Sequence, residues 1–198
     1  MEKRQTLYPT LARASPALFF YLTILNCIIA PSYNSFYLFI VYCLVVISNL
    51  ILKNIIVKPL YNLFNLKSLP ILGIGARPTN AESCHLVLDN ILSLSYGMPS
   101  GHSQIVWAVA TYILYKIITN WYNNYKYNKD IMISGYVWLV ISCIIILVCA
   151  IYISYSRVYI EGCHTIQQII IGGIIGIVFG LIIVYYENDA IKFMSKLY

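Results

Sequence analysis

The chain has 198 residues, of which 60% are apolar and only 10% are charged. Soluble domains carry about 25% charged residues, so this composition excludes an ordinary soluble domain, and the high apolar content excludes a disordered chain. The formal net charge of +6 is typical of basic residues that flank membrane spans, and it does not favour nucleic-acid binding. We therefore predict a single integral membrane domain over residues 1–198.

Long uncharged runs mark the predicted helices. No charge interrupts residues 14–52, a run about twice the roughly 20 residues that one helix needs to cross a bilayer. A Pro-Ser-Tyr-Asn-Ser segment at 31–35 divides this run into a helical hairpin, whose first limb is expected to be short. The whole pattern predicts an all-α membrane bundle of about five transmembrane helices. The predicted helices cover residues 16–30, 35–57, 100–119, 132–156 and 164–186.

Two loops connect these predicted helices. Residues 58–99 are rich in Pro and Gly, and apolar residues near the start of this segment, Leu60, Leu63 and Phe64, have the spacing of a helix at the membrane interface. Long ordered loops are usually functional, so we expect this segment to contribute to a site. Residues 120–130 are polar, aromatic and basic, and we predict a linker there.

Three glycines, Gly172, Gly176 and Gly180, recur at four-residue steps in the last predicted span. Small residues at this spacing let two helices pack closely. We expect this stripe to pack against a neighbouring span of the same chain. A homodimer contact is the alternative, and it is not predicted.

The scarce polar residues converge on one membrane face. The span at 100–119 leaves that face and the span at 132–156 returns to it, so Ser100, His102, Arg157 and His164 must share it. Arg77 precedes Ser100 without an intervening span and joins them. The topology alone therefore predicts a polar site at this face.

Phosphoryl transfer is the chemistry that these residue types favour. The starts of the spans at 100 and 164 offer free N–H groups and the positive end of a helix dipole to an anion. Arginine forks suit phosphate oxygens, and two imidazoles can serve as nucleophile and as general acid–base. No carboxylate or His/Cys cluster suggests a metal, so we expect no metal or other cofactor. The structural alternatives are a histidine that only caps a helix and an arginine that only anchors a membrane end.

The same residues resemble a known family. The segment Tyr96-Gly97-Met98-Pro99-Ser100-Gly101-His102 resembles the second motif of the type-2 phosphatidic acid phosphatase superfamily. Arg77-Pro78 resembles the end of the first motif, and the segment from Ser154 through Arg157 to His164 resembles the third. The resemblance covers about residues 53–180 and is strongest to dolichyl diphosphate phosphatases. Gln168 stands where most of the superfamily has Asp, as in that group.

The resemblance implies a role for each residue. His164 would attack phosphorus and form a phosphohistidine, and His102 would protonate the leaving group and then activate water. Gln168 would orient His164 by accepting a hydrogen bond from its ring. The substrate phosphate would be held by Arg77, Arg157, Ser100, the Gly101 amide and a lysine, with catalytic motifs within residues 53–168.

The chain departs from the usual pattern of the family at three points. The first motif usually has a lysine seven residues before its arginine, where this chain has Pro70. Lys53 and Lys67 are the two candidates, and Lys53 is favoured. Six residues separate Arg157 from His164 instead of five, and we expect a bulge at Gly162 to absorb the extra one. The third departure is the number of spans, since many relatives have six.

Two cysteines lie in the loops of the resembled motifs, Cys84 after the first motif and Cys163 next to His164. A disulfide between them that braces the two loops is a hypothesis for a site that faces an oxidising lumen; two free thiols are the favoured alternative. Charge does not settle the orientation. The basic N-terminal tail favours a cytoplasmic N-terminus and, with five spans, a cytoplasmic site, whereas the resemblance implies a site facing the lumen of the endoplasmic reticulum.

These observations predict a membrane-bound hydrolase that converts a polyisoprenyl diphosphate, such as dolichyl diphosphate, to the monophosphate and inorganic phosphate. A broader lipid phosphatase acting on phosphatidate-like monoesters is the first alternative. A non-catalytic lipid-binding membrane protein is an alternative of another class. The expected partners are the lipid substrate and membrane lipids.

Overall fold

The computed structural model describes residues 7–64, 67–79, 81, 84, 96–127 and 132–196. These residues are almost entirely helical, which confirms the all-α prediction. The elements in chain order are α1 (Leu7–Ile29), α2 (Tyr33–Ile51), a π-helical segment (Leu52–Val57), α3 (Lys58–Leu63), β1 (Ser68–Leu69), β2 (Gly73–Ile74), α4 (Gly101–Tyr127), α5 (Met132–Tyr155), a second π-helical segment (Ser156–Ile160) and α6 (Ile166–Met194).

The N-terminal hairpin breaks where the sequence predicts. Ser32 caps α2, because its side chain accepts a hydrogen bond from the Ser35 N–H, as expected for a serine at a helix start. The expectation of a short first limb was wrong. α1 begins at Leu7 and includes Pro16, whereas the predicted helix starts at residue 16.

The second limb is longer than predicted. Residues 33–63 form one apolar helical stretch, in which α2 continues through the first π-helical segment into α3. Pro59 lies in the first turn of α3, where its missing N–H is tolerated. The helix expected around Leu60 and Leu63 therefore exists, but it is an extension of α2.

Four stretches of the described residues are long and apolar enough to cross a membrane, namely 11–29, 33–63, 135–160 and 166–194. α4 has 27 residues and is long enough too, but it lies at the centre of the bundle, and one face carries the buried polar residues Ser103 and Gln104. It also continues to Tyr127, so the predicted linker at 120–130 was wrong for residues 120–127. Residues 128–131 lie outside the described ranges.

The glycine stripe of α6 packs on α4, as expected for contact within the chain. A Cβ atom added at Gly172 would lie 2.6 Å from the Ser100 carbonyl oxygen, and one at Gly180 would lie 2.6 Å from Thr111 Cβ. Gly176 faces the carbonyl oxygen of Gln104 in the same way. Larger side chains would separate α4 from α6 and move the start of α4 relative to the start of α6.

A buried carboxylate joins the same two helices at their other end. Glu187 of α6 accepts a hydrogen bond of 2.8 Å from the Tyr112 hydroxyl and pairs with Lys116 Nζ at 2.8 Å. Intramembrane carboxylates are costly unless paired. This pair therefore stabilises the end of the bundle opposite the predicted site.

Candidate active site

Five helix termini surround the predicted site. α1, α4 and α6 begin at this end of the bundle, and α2 and α5 end there. The prediction that Ser100, His102, Arg157, His164 and Arg77 share one face agrees with the contacts that follow.

His164 is held in one tautomer. Its Nδ1 lies 3.0 Å from Gln168 Oε1 and its Nε2 lies 3.3 Å from Arg77 Nη1. An arginine nitrogen can only donate, so Nε2 presents its lone pair and Nδ1 carries the proton. The ring is 3% exposed. Nε2 is thus the nitrogen whose lone pair is available, and it faces a guanidinium.

The amide orientation of Gln168 follows from its own partners. Its Nε2 donates to the carbonyl oxygens of Ile74 and Ala76, both at 2.7 Å. With both amide protons bonded there, Oε1 must turn towards His164. Its main-chain carbonyl also accepts a hydrogen bond of 3.1 Å from the Ser100 N–H. Gln168 therefore connects the loop before Arg77 and the start of α4 to the nucleophile, which is more than the orienting role that the resemblance implies.

Arg77 contacts both the nucleophile and the residue before it. Its Nη1 donates to the Cys163 carbonyl oxygen at 3.1 Å and to His164 Nε2 at 3.3 Å. Burial, and to a smaller extent the nearby charge of Arg157, lowers the pKa of Arg77 to about 10, so it stays cationic at neutral pH. It lies where a phosphate-binding arginine is predicted.

Arg157 is buried, and protein groups accept hydrogen bonds from two of its three guanidinium nitrogens. Nη1 pairs with Glu161, and Nη2 donates to the Cys84 carbonyl oxygen at 2.9 Å. Among the described residues, two buried side-chain nitrogen or oxygen atoms have no hydrogen-bond partner: Arg157 Nε and Ser100 Oγ. Unpaired buried donors are costly, and both of these belong to predicted phosphate ligands.

The extra residue before His164 is absorbed locally. Ser156–Ile160 is π-helical and Gly162 has φ +63°, a conformation that glycine adopts without strain. The turn closes on Arg157, whose carbonyl oxygen accepts from the N–H groups of Cys163 and His164 at 3.0 and 3.1 Å. The structure thus shows a left-handed turn at Gly162, and the bulge expected there stays a prediction.

The predicted disulfide joins Cys84 to Cys163 across 79 residues of sequence. Both cysteines are buried. The carbonyl oxygen of each accepts a hydrogen bond from one of the two arginines, Cys84 from Arg157 and Cys163 from Arg77. The bond thus braces the two loops that hold both guanidinium groups.

His102 is positioned by α1. Its Nε2 lies 3.0 Å from the main-chain carbonyl oxygen of Arg13. Because a carbonyl only accepts, Nε2 carries a proton, and Nδ1 is the nitrogen that remains for acid–base work. Lys53 and the two site arginines lie within electrostatic range of the ring.

Gly101 allows α2 to approach α4. A Cβ atom there would lie 2.9 Å from Asn49 Oδ1. Asn49 Nδ2 donates to Gln104 Oε1 at 2.8 Å, and Gln104 Nε2 donates to Ser48 Oγ at 2.9 Å. This glycine, whose amide is a predicted phosphate ligand, thus lets the buried network hold the start of α4.

Lys53 is the lysine that the structure brings near the site. Its charge acts on His164 together with those of Arg77 and Arg157, whereas Lys67 is exposed. Pro70 lies between the hairpin strands β1 and β2, which pair through Leu69 and Gly73. These positions favour Lys53 over Lys67 as the lysine of the first motif.

Sequence reasoning missed three contributors: Arg13, Asn49 and Glu161. Glu161 could have been found in the sequence, because the chain has only seven acidic residues and this one follows Arg157 by four residues. Asn49 precedes Lys53 by four residues, on the same helical face. Nothing in the sequence distinguishes Arg13 from a membrane-boundary anchor. The described residues contain no group of three or more His, Cys, Asp or Glu side chains suited to a metal ion.

We predict that His164 titrates well below pH 6.5. Burial, followed by the charges of Arg77, Arg157 and Lys53, lowers its pKa far more than the Gln168 hydrogen bond raises it. The neutral form, which carries the nucleophilic lone pair, then persists as the pH falls through 6.5. Replacing His85 and His102 with glutamine leaves one histidine, whose ring can be titrated by NMR. A midpoint at or above 6.5 would contradict the prediction.

We also predict that removing the disulfide weakens both the fold and the site. A link that closes a loop of this length stabilises a protein by about 4 kcal/mol in the chain-entropy account. The double variant Cys84→Ser/Cys163→Ser should have a lower Tm and a reduced rate of phosphate release. Cys143→Ser/Cys149→Ser, which changes two free cysteines of α5, is the matched control. Alkylation of Cys84 and Cys163 in the native, unreduced protein would show that the bond is absent.

Comparison with known proteins agrees with this geometry. Residues 34–192 match the PAP2 superfamily. The dolichyldiphosphatase of Saccharomyces cerevisiae (strain ATCC 204508 / S288c) is 35% identical over 92 residues, which are 46% of this chain and 34% of the yeast protein. The match thus spans about a third of that relative's length. No solved structure matches significantly. Because the family match covers most of the chain and includes every predicted site residue, the chain belongs to the PAP2 superfamily, the type-2 phosphatidic acid phosphatase hydrolases that its motifs resemble.

Proposed function

We propose that the chain is an integral membrane lipid phosphatase. Its substrate is an isoprenoid-lipid diphosphate of the dolichyl diphosphate type, and its products are the lipid monophosphate and inorganic phosphate. The observation that carries this proposal is the pair of unpartnered buried donors, Ser100 Oγ and Arg157 Nε. The charge of Arg157 acts on His164, and the Ser100 N–H donates to the Gln168 carbonyl oxygen at 3.1 Å. A phosphate group bound beside His164 would supply the missing acceptors.

The reaction proceeds in two displacements. His164 Nε2 attacks the terminal phosphorus, a P–N bond forms, and the P–O bond to the lipid monophosphate breaks. His102, protonated on Nδ1 when the anionic substrate is bound, gives that proton to the leaving oxygen, while its Nε2–H stays bonded to the Arg13 carbonyl oxygen. Water then attacks the phosphohistidine and loses a proton to His102, and the P–N bond breaks to release inorganic phosphate. Arg77, Arg157 and Lys53 stabilise the equatorial oxygens in both steps.

The uncharged Gln168 suits this chemistry. It keeps the proton on His164 Nδ1 through a hydrogen bond of 3.0 Å and adds no negative charge beside the phosphate. Three cations and one neutral imidazole then face an anionic substrate.

We place the site on the lumenal side of the endoplasmic reticulum. Two observations support this: disulfides such as Cys84–Cys163 persist in oxidising compartments, and the yeast relative is named a dolichyldiphosphatase. Because α1 begins at the site end, the N-terminus lies on the same side. A glycosylation acceptor added at the N-terminus should therefore be modified, and an unmodified acceptor would argue for a cytoplasmic site.

A phosphate-release assay on purified protein tests the function. Isoprenyl diphosphate, isoprenyl monophosphate and phosphatidate are compared at equal mole fraction in detergent, with and without a strong chelator. We expect the highest kcat/KM for the diphosphate, unchanged by the chelator, because the site's own cations carry the charge stabilisation. A preference for phosphatidate would favour the broader lipid phosphatase, and no turnover of any substrate would favour a lipid-binding protein.

A further inference from the structure

We propose that Arg13 binds the lipid-side phosphate of a diphosphate substrate and so makes the site select lipid diphosphates over lipid monophosphates. This inference rests on the proposed function and names a specificity residue for it. Arg13 lies in α1, which precedes the region matched to the family, residues 34–192.

The position of Arg13 is defined by His102. The main-chain carbonyl oxygen of Arg13 lies 3.0 Å from His102 Nε2. In the proposed reaction His102 protonates the leaving oxygen, so the leaving group lies beside this ring. Because the leaving group faces Nδ1 and Arg13 contacts Nε2, the side chain of Arg13 is attached one imidazole ring away from the leaving group.

The guanidinium group of Arg13 is a neighbour of the one that holds the reacting phosphate. Arg13 Nε and Arg157 Nη1 both bind the same oxygen, Oε2 of Glu161, with 3.4 Å for the Arg13 contact. The Glu161 side chain is 1% exposed, and Ser156 Oγ donates to its other oxygen at 3.1 Å. Glu161 thus positions two adjacent arginines, a spacing that suits two adjacent phosphates.

Charge and exposure leave Arg13 able to take a ligand. One carboxylate faces two guanidinium groups, so the cluster of Arg13, Arg157 and Glu161 keeps a net positive charge. Among the described residues, Arg13 makes its side-chain contact through Nε alone, which leaves Nη1 and Nη2 for an acceptor. Its side chain is 22% exposed, whereas Arg157 is fully buried.

The leaving group decides which substrate uses this cation. Cleaving a lipid diphosphate releases a phosphate monoester, whose negative charge grows as the P–O bond breaks. Cleaving a lipid monophosphate releases an alcohol, which His102 neutralises with one proton. A cation beside the leaving group therefore favours diphosphate cleavage.

The test compares Arg13→Gln with the unaltered protein on isoprenyl diphosphate and isoprenyl monophosphate of one chain length. A charged hydrogen bond corresponds to about 10- to 100-fold in binding or rate. We expect kcat/KM for the diphosphate to fall by this factor and that for the monophosphate to change by less than about threefold. Arg13→Lys should restore part of the loss. Lys116→Gln removes an equal charge from an ion pair at the other end of α4 and should leave the substrate ratio unchanged.

Direct binding supplies a readout that does not need turnover. Calorimetry measures binding of methylenediphosphonate, which cannot be hydrolysed, and of orthophosphate. Arg13→Gln should weaken the diphosphonate about 10- to 100-fold and leave orthophosphate nearly unchanged. Equal weakening of both anions, or of neither, would overturn the role of Arg13. Failure of the unaltered protein to release phosphate from isoprenyl diphosphate would instead overturn the proposed function.

Discussion

Replacing His164 with alanine is expected to abolish phosphate release, with a loss of at least about 10³-fold in kcat, because in the proposed reaction its Nε2 attacks phosphorus beside Arg77. His164 Nε2 lies 3.3 Å from Arg77 Nη1. A phosphate bound by this guanidinium would therefore be polarised next to Nε2. With substrate labelled in its terminal phosphate, the unaltered protein should trap an acid-labile, alkali-stable phosphohistidine. The His164→Ala protein should trap none.

The control for this variant is its fold. His164 contacts Gln168 and Arg77 through its ring, so some loss of stability is expected, and Tm should be compared with that of His102→Ala. His102→Ala keeps the nucleophile and should still form some phosphohistidine, but slowly. Turnover or labelling in His164→Ala would show that another residue attacks phosphorus.

Replacing Gln168 with glutamate, or with the aspartate usual in the superfamily, is expected to reduce activity by about 10²-fold or more. The Gln168 amide donates to the carbonyl oxygens of Ile74 and Ala76, both at 2.7 Å. A carboxylate has no proton for either, and each buried carbonyl left without a donor costs about 1–3 kcal/mol. The loop that carries Arg77 should then move away from His164. The measurements are Tm and kcat/KM for isoprenyl diphosphate.

The matched control is Gln167→Glu, the same chemical change one residue earlier on an exposed side chain. It should leave both Tm and kcat/KM close to those of the unaltered protein. If Gln168→Asp works as well as glutamine, then the contacts to Ile74 and Ala76 do not matter for catalysis. The chain would then tolerate the usual residue of its superfamily.

Much of the site could be predicted from the sequence because its residues lie at helix ends. Ser100 and His102 start one span, Arg157 ends another, and His164 precedes the next, so counting spans places all four on one face. The Arg77 loop follows from chain order. Helix boundaries were less predictable, since α1 continues through Pro16 and α2 continues through a π-helical segment; in both cases packing overrides a local preference.

Contacts between distant segments could not be predicted. Arg13 and Glu161 are 148 residues apart, and no spacing in the sequence relates them. The two carbonyl oxygens bound by Gln168 are main-chain atoms. Their direction depends on the hairpin of β1 and β2, and it cannot be inferred from the residue types. The motif favoured Lys53 over Lys67, but the position of Lys53 near His164 depends on how far α2 extends.

The sequence by itself determined the membrane class, the order of the helices, the single polar face and the identities of both histidines and both site arginines. These features depend on composition, hydropathy and the alternation of spans, which are properties of local segments. Only the tertiary structure decided which nitrogen of His164 carries the proton, which buried side-chain donors lack a partner among the described residues, and that α1 contacts His102. Those features depend on hydrogen-bond geometry between segments, which exists only once α1, α4 and α6 have packed.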